Sequence, residues 1–262
     1  MEFAYLSSEV KINRVSEDET HGVFDIEKLY RGYGTTIGNA LRRVLLSSLP
    51  GAAITRFKIS HPKSVDHEFT TIPGVMEDVV EIGLNLKKIR FQFFASEPQV
   101  LTLSVKGEKE ITAGDIKGTT DVIVANPDMH IATLTSKSAE FEMEITVEKS
   151  LGYIPVELQK VEKLSIGEIA LDAIYSPVVN VNFSVENMRV GERTDYNRLR
   201  MEIETDGTIS PSSALHKAAN VLLDHFSKVS AIDVREISAE KGVAKSKKEA
   251  KPRAKKGEAE EK

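Results

Sequence analysis

The sequence contains no cysteine and no tryptophan, and it lacks any long apolar run. Without cysteine the chain can form no disulfide or thiolate metal site, and it has no cysteine nucleophile. No run of consecutive apolar residues is long enough for a membrane-spanning helix. Residues 1–10 carry two glutamates and no basic side chain, which does not fit a secretory signal. We therefore expect a cytoplasmic protein.

Charge is distributed unevenly along the 262 residues, whose net charge is −5. Residues 241–262 hold nine Lys/Arg against four Asp/Glu, whereas the preceding 240 residues hold 26 against 36. A body that acidic is a poor candidate for binding a phosphate backbone across a broad surface. In the basic tail Val243 is the only large apolar residue, so burial cannot offset chain entropy. We predict that residues 238–262 are disordered, either as a solvated extension or as a weak nucleic-acid contact.

Apolar periodicity predicts an α+β fold, because strand patterns are mixed with a few separate helical patterns. Alternation predicts strands over Leu101–Val105, Phe141–Val147, Val179–Val185 and Leu199–Ile203. Helical spacing predicts helices over Ile37–Leu49, Val75–Leu86 and Leu215–Val229. The expected boundaries are Thr35 or Thr36 as the first cap, a stop at Pro50-Gly51, and Ser210-Pro211 at the start of the last helix.

The first and last predicted helices are apolar over more than one narrow stripe. Leu46 lies off the main face of the first helix, and Ala219 and Leu223 widen the face of the last one. Such helices need cover on two sides. The second cover could come from the chain's own sheet or from another subunit, and periodicity alone does not decide between them.

No motif in the sequence predicts catalysis, a cofactor site or a metal site. Glycines 32, 34 and 38 are spaced one residue too widely for the dinucleotide fingerprint, and no Gly-Lys-Ser/Thr follows, so a phosphate-loop enzyme is disfavoured. His67-Glu68 lacks the second histidine that a zincin helix would need at Thr71. Convergent carboxylates for two-metal chemistry are also missing.

Three blocks of sequence closely resemble the bacterial RNA polymerase alpha subunit family. The first runs from Arg31 to Gly51 and includes Asn39-Ala-Leu-Arg-Arg43. The second comprises His67-Glu-Phe-Thr-Thr, Pro73-Gly-Val and the segment from Glu77 to Lys87. The third comprises Tyr175-Ser-Pro-Val178, Arg189–Tyr196 and Glu204–His216. The blocks occur in family order, and the resemblance covers roughly residues 1–237.

The resemblance implies a dimerisation domain built from both chain ends with a second, β-rich domain inserted. The expected parts are 1–51 and 178–237 for dimerisation, 52–177 for the inserted domain, and 238–262 for a linker or tail. The first and last helices would then pack against a second copy of the chain, which implies a homodimer. The predicted interface residues are Ile37, Leu41, Val44, Leu45, Leu215, Leu222 and Phe226.

The resemblance also implies a non-catalytic role, namely a scaffold on which the beta and beta-prime subunits of DNA-directed RNA polymerase assemble. The enzyme complex is a nucleotidyltransferase that also contains omega and sigma, and the family places its catalytic aspartates on beta-prime. DNA would be met only through the complex or weakly through the tail. The alternative is a free-standing nucleic-acid-binding module acting through the basic tail. The family's small helical DNA-binding domain has no counterpart in these 262 residues.

Residue roles follow from the resemblance position by position. Arg43 and Leu46, on the outer face of the first helix, would contact beta, and the loop at residues 67–70 with Lys87 would add to that surface. The segment Tyr175–Val178 and the block Arg189–Asp195 would contact chiefly beta-prime, although an ion pair within that block is an alternative role for its charges. The predicted beta contacts are Arg43, Leu46, His67, Glu68, Phe69 and Lys87. The predicted beta-prime contacts are Tyr175, Arg189, Arg193 and Asp195.

Overall fold

A computed structural model describes residues 9–62, 65, 67–159 and 165–233. The tail predicted to be disordered, 238–262, lies outside the described residues, as do residues 234–237 of the second dimerisation segment. Within the described part of the chain, no helix is long and apolar enough to cross a membrane.

The described residues form fifteen strands and three helices, together with short 3₁₀ turns at Ala113–Asp115 and Val156–Leu158. The helices are α1 (Tyr33–Ser47), α2 (Val79–Leu86) and α3 (Pro211–Ser230). The strands are β1 (Lys11–Glu17), β2 (His21–Leu29), β3 (Pro50–His61), β4 (Phe91–Phe93), β5 (Gln99–Lys106), β6 (Lys109–Thr112), β7 (Ile116–Lys117), β8 (Val122–Val124), β9 (His130–Leu134), β10 (Glu140–Leu151), β11 (Tyr153–Ile154), β12 (Glu168–Ala170), β13 (Ala173–Ile174), β14 (Val178–Val190) and β15 (Arg193–Thr205). The predicted α+β class is confirmed.

One sheet joins the two ends of the chain. Its order is β1-β2-β15-β14 with antiparallel neighbours, so β2 near the N-terminus pairs directly with β15, which lies beyond residue 190. Helices α1 and α3 contact each other, and both contact this sheet. The alternating apolar side chains of β2 and β15 therefore meet the helices in one core, which contains Phe24, Ile26, Leu41, Leu45, Leu49, Val181, Leu199, Met201, Ile203, Ala214 and Ala218.

A second core forms around the segment between these ends. Its main sheet has the order β12-β3-β10-β5-β7, with two-stranded sheets β4-β8 and β6-β9 beside it. The buried face of α2 packs into the same core. The core includes Phe57, Ile59, Val79, Ile82, Leu86, Leu101, Leu103, Phe141, Met143, Ile145 and Val147, so the alternation predicted for β5 and β10 is confirmed.

Several predicted boundaries are wrong in detail. Helix α1 begins after Gly32, which has φ 86° and no side-chain cap, so neither Thr35 nor Thr36 caps it. Helix α2 begins at Val79 instead of Val75, because Asp78 and Glu81 form a reciprocal capping box there. Val75 instead forms an isolated β-bridge with Leu134.

The other predicted boundaries agree with the structure, whereas Val179 does not lie on the buried face predicted for its strand. Helix α3 starts as predicted, with the Ser210 side chain accepting from Ser213 N–H and Pro211 in the first turn. The stop at Pro50-Gly51 holds as well, since α1 ends at Ser47 and β3 starts at Pro50. Val179 is exposed because a bulge between Val178 and Asn180 shifts the register of β14.

Candidate interaction surfaces

The C-terminal half of α3 carries an apolar surface that the described chain leaves uncovered. Ala214 and Ala218 are buried against the sheet, while Leu215 and Leu222 are half-buried. Further along, the exposed fractions are 68% for Leu223, 63% for Phe226, 67% for Val229 and 72% for Ile232. Leu223, Phe226 and Val229 recur at intervals of three and are neighbours on the helix surface, and Ile232 follows just after the helix ends at Ser230. A row of large exposed apolar side chains marks a protein contact surface.

The predicted interface residues of α1 divide into two groups. Leu41 and Leu45 are buried in the core of the protomer itself. Ile37 and Val44 are half-buried at the edge of that core and retain accessible surface. The chain's own sheet thus covers the main stripe of α1, and the side chains left to meet a partner are Ile37 and Val44.

Arg43 and Leu46 lie together on the outer side of α1. Both side chains are exposed, and they are three residues apart on the helix. The Ser47 hydroxyl donates to the Arg43 carbonyl oxygen at 2.8 Å, which satisfies one acceptor at the helix end. A guanidinium beside an exposed leucine offers both hydrogen-bond donors and apolar area.

A groove beside α2 brings together residues that are distant in sequence. Glu68, Leu84 and Lys87 line it together with the β12 segment. Lys87 Nζ lies 2.9 Å from Asp172 Oδ2, and this contact holds the pKa of the Asp172 carboxyl below its usual range. Two predicted beta contacts, Glu68 and Lys87, therefore share one surface.

His67 and Phe69 project from the turn next to this groove. Phe69 is 75% exposed, and its ring centroid lies 5.2 Å from that of His67. The Phe69 N–H also donates to His67 Nδ1 at 3.3 Å. The turn therefore presents an aromatic pair to the outside of the molecule.

Tyr175 occupies a different environment from the other predicted contacts. Its side chain is only 3% exposed and packs with Ala53 and Ala173. Burial, with a smaller effect from Glu148, raises the pKa of Tyr175 to about 12. The Tyr175 backbone passes so close to Gly51 that a Cβ there would overlap the Tyr175 carbonyl oxygen. In this protomer Tyr175 is a packing residue, and its side chain has almost no accessible surface.

The tip of the β14–β15 hairpin combines charge with aromatic rings. Arg193 donates to the Asp195 carboxylate from Nε at 3.2 Å and from Nη2 at 3.1 Å. This pairing lowers the pKa of Asp195, and Asp195 together with the Tyr30 hydroxyl raises the pKa of Arg193. Arg189 Nε donates to the Gly191 carbonyl at 2.8 Å. The ion pair within the block, which the sequence left as an alternative, is present.

Sequence reasoning missed the rings that contact Arg193. Its guanidinium carbon lies 5.2 Å from the Tyr30 ring centroid and 5.4 Å from that of Tyr196. The signal was present as aromatic residues next to charged ones, in Tyr30-Arg31 and Asp195-Tyr196. These two dipeptides are more than 160 positions apart in the sequence, and only the pairing of β2 with β15 brings them close together. Their contact could therefore not be predicted from the local sequence.

Over the described ranges, no group of three or more His, Cys, Asp or Glu side chains is placed to hold a metal ion. The candidate surfaces described above consist of apolar area, guanidinium groups and ion pairs. Such features are typical of protein–protein contact.

Comparison with known proteins gives consistent matches. Residues 56–176 match the family model described as "RNA polymerase Rpb3/RpoA insert domain". The chain is 49% identical over 212 residues to a protein of Symbiobacterium thermophilum named DNA-directed RNA polymerase subunit alpha, covering 81% of this chain and 66% of that one. Proteins of the same name from Alkaliphilus oremlandii and Alkaliphilus metalliredigens are 47% and 48% identical, covering 83% of this chain and 67% and 68% of theirs. The chain spans about two thirds of the length of these relatives.

Proposed function

The chain belongs to the family of DNA-directed RNA polymerase alpha subunits, and from this we propose that it forms a homodimer on which the beta and beta-prime subunits assemble. In this proposal the chain contributes to the nucleotidyltransferase in the cytoplasm without supplying a catalytic residue. Omega and sigma are part of the same complex, and this chain would contact DNA only as part of that complex. The free-standing nucleic-acid-binding module receives no support from the three relatives given above, which are each named as a polymerase subunit.

The single observation that supports dimerisation best is the uncovered apolar surface of α3. Leu223, Phe226 and Val229 would each expose large apolar area to water in a lone protomer. Burying apolar area contributes about 25 cal/mol per Å². A two-fold axis would bring the same surface from both copies together, with Ile37 and Val44 of α1 at its margin. An obligate interface of this kind buries roughly 2,000 Å² or more.

The division into two cores supports the proposed domain arrangement. Residues from both chain ends build the core beneath α1 and α3, and residues between them build the other. The insert-domain match at 56–176 falls within the proposed inserted segment, 52–177. A dimerisation unit on one side and an inserted unit on the other would give each large subunit a composite surface.

Beta is proposed to bind the outer side of α1 and the groove beside α2. Arg43 and Leu46 supply an exposed donor fork and apolar area, and Glu68, Phe69 and Lys87 supply the second patch. Beta-prime is proposed to bind the β14–β15 hairpin through Arg189, Arg193 and Asp195. At Tyr175–Val178 the contact would depend on the half-buried Ser176 and on neighbouring residues, because Tyr175, Pro177 and Val178 are buried.

The test replaces Arg43 in the whole chain co-expressed with beta. Arg43→Ala should leave the dimer intact but reduce co-purification of beta at least tenfold, since a central interface arginine contributes about 2 kcal/mol or more. Arg42→Ala is the matched control, because Arg42 is the adjacent exposed arginine of the same helix. Capture of beta by Arg43→Ala at the level of the Arg42→Ala variant would contradict the role of Arg43.

A further inference from the structure

Two hydrogen bonds connect the end of β2 and the loop after it to the β14–β15 hairpin, and a third links the two strands of the hairpin. Gly32 N–H donates to Asn197 Oδ1 at 2.9 Å, and Asn197 Nδ2 donates to Asn187 Oδ1 at 3.2 Å. The Lys28 N–H is directed at Met188 Sδ at 3.2 Å. The Asn197 side chain is buried, and its two hydrogen bonds join the loop to both strands of the hairpin. The glycine-containing loop therefore helps to build the hairpin surface.

At the end of the hairpin, the Arg193 side chain is contacted by Tyr30, Tyr196 and Asp195. The rings of Tyr30 and Tyr196 meet edge to face with centroids 6.1 Å apart, and the guanidinium lies over both. Asp195 accepts two of its hydrogen bonds. An arginine has five N–H donors, so at least two remain after Asp195 and the Tyr30 hydroxyl are counted. The side chain is half exposed, so these donors are accessible to a partner.

From this geometry we propose that Tyr30 and Tyr196 are positioning residues that hold Arg193 ready to bind a carboxylate on the large subunit docking at the hairpin. The proposal rests on the proposed function, in which the block Arg189–Asp195 contacts beta-prime. An arginine that is already stacked loses less side-chain freedom when it binds, which strengthens the contact. Ring faces also attract the guanidinium charge directly.

A carboxylate is the favoured ligand because of the local charges. Arg31, Arg189 and Arg193 contribute three guanidinium groups to this surface, against the carboxylates of Glu192 and Asp195. Arg31 is close enough to Asp195 to help lower the pKa of that carboxyl. Asp195 is already paired, so the surface keeps an excess of positive charge. Planar guanidinium groups bind carboxylates through two parallel hydrogen bonds.

The experiment measures the affinity of purified beta-prime for the preassembled alpha dimer–beta complex. Tyr30→Leu and Tyr196→Leu remove the ring face but keep apolar bulk, and each should weaken binding about threefold to tenfold. Tyr196→Phe keeps the ring and should bind like the wild type. Both leucine variants should still dimerise and bind beta, which checks that they fold.

A double-mutant cycle separates positioning from direct contact. If the tyrosines act through Arg193, then Tyr30→Leu should have no further effect in an Arg193→Ala background. Additive losses, or leucine variants that bind as tightly as the wild type, would overturn the positioning role. Failure of the wild-type alpha–beta complex to bind beta-prime would instead overturn the proposed function itself, and this inference with it.

Ionic strength tests the chemistry of the ligand. A contact between guanidinium and carboxylate is screened by salt, so the difference in affinity between wild type and Arg193→Ala should narrow at high ionic strength. A difference that stays constant with salt would overturn the assignment of a carboxylate.

Discussion

At the scale of single residues, Gly51 shows how tightly the two ends of the inserted segment pack. It is the second residue of β3, and the Tyr175 carbonyl oxygen occupies the space that a Cβ would need. The obstructing atom belongs to the backbone, which cannot rotate away as a side chain can. We therefore expect glycine to be required here for close packing.

Gly51→Ala should lower the free energy of unfolding by about 2 kcal/mol or more, because overpacking forces the backbone to shift. Gly83→Ala is the matched control within α2. A Cβ there would lie 3.2 Å from Leu171 Cδ2, the end of a flexible side chain, and alanine would add about 1 kcal/mol of helix propensity. Thermal unfolding of both variants measures the difference. Equal unfolding temperatures for the two variants would show that the contact at Gly51 is not restrictive.

Residue roles were predictable from the sequence only where they depend on nearby positions. The pairing of Arg193 with Asp195 spans two residues and was anticipated as an alternative role. Helix propensity alone disfavours glycine at position 83 of α2, and the contact that accompanies it there is not local, since Leu171 reaches Gly83 from a distant segment. Burial of Tyr175 was missed for the same reason, because the residues around it come from three different strands.

At the scale of secondary-structure elements, β2 and β15 are linked on the sheet face opposite the helices by an ion pair whose carboxylate is buried and whose guanidinium is partly exposed. Asp25 and Arg200 are cross-strand partners, and Arg200 donates to both Asp25 oxygens at 2.8 and 2.9 Å. These bonds hold the pKa of the Asp25 carboxyl below its usual range. A carboxyl whose pKa is lower in the folded state stabilises the fold above its unfolded pKa of about 3.9, and this contribution is lost as pH falls through the folded value.

Asp25→Asn should therefore reduce the free energy of unfolding at neutral pH, and the gap to the wild type should close as the pH falls below about 4. Arg200→Lys keeps the charge but loses the two-pronged contact, so it should lie between the two. Denaturant unfolding over a pH series measures this. A gap between Asp25→Asn and wild type that is constant with pH would contradict the assigned ion pair.

We expect the exposed apolar end of α3 to form part of the dimer interface. Phe226→Asp should weaken dimerisation by roughly thirtyfold or more, because a charge would replace a central apolar contact. Ser227→Asp adds the same charge at the neighbouring exposed position and should leave the dimer intact. Sedimentation velocity over a concentration series compares them. Identical dissociation of the two variants would show that Phe226 lies outside the interface.

Elements were predictable where one pattern dominated. The alternation in β5, β10 and β15 and the Ser210-Pro211 start of α3 needed only local rules. The start of α1 was missed because a left-handed glycine, Gly32, precedes the helix where a side-chain cap was expected. Val179 was misplaced because a bulge breaks the period of two, which no local pattern announces.

At the scale of the whole molecule, the two cores are joined by a few specific contacts. Arg90, just after α2, lies 3.6 Å from the Asp206 carboxylate, just before α3. Asp206 is largely buried, and its backbone N–H also donates to the Pro177 carbonyl at 3.0 Å. The second crossing of the chain between the cores is thereby fixed next to the base of α3. The proposed beta and beta-prime surfaces would then keep a defined spacing within each protomer.

The sequence could indicate that the terminal helices have more apolar surface than one narrow stripe. It could not indicate which apolar side chains are buried within the protomer and which remain exposed. Leu41 and Leu45 turn inward in the protomer, whereas Phe226 remains outside. Periodicity gives the face of a helix but not which neighbour covers it, because the neighbours come from distant strands. The resemblance to the alpha-subunit family implied that the second cover comes from another copy of the chain. The exposed apolar end of α3 is consistent with such a dimer.

Dimerisation can be measured by sedimentation equilibrium of the unmodified 262-residue chain alone. We expect twice the mass of one chain at micromolar concentration, because dimerisation would cover the apolar surface of α3. A mass of one chain that does not change with concentration would contradict the proposed homodimer.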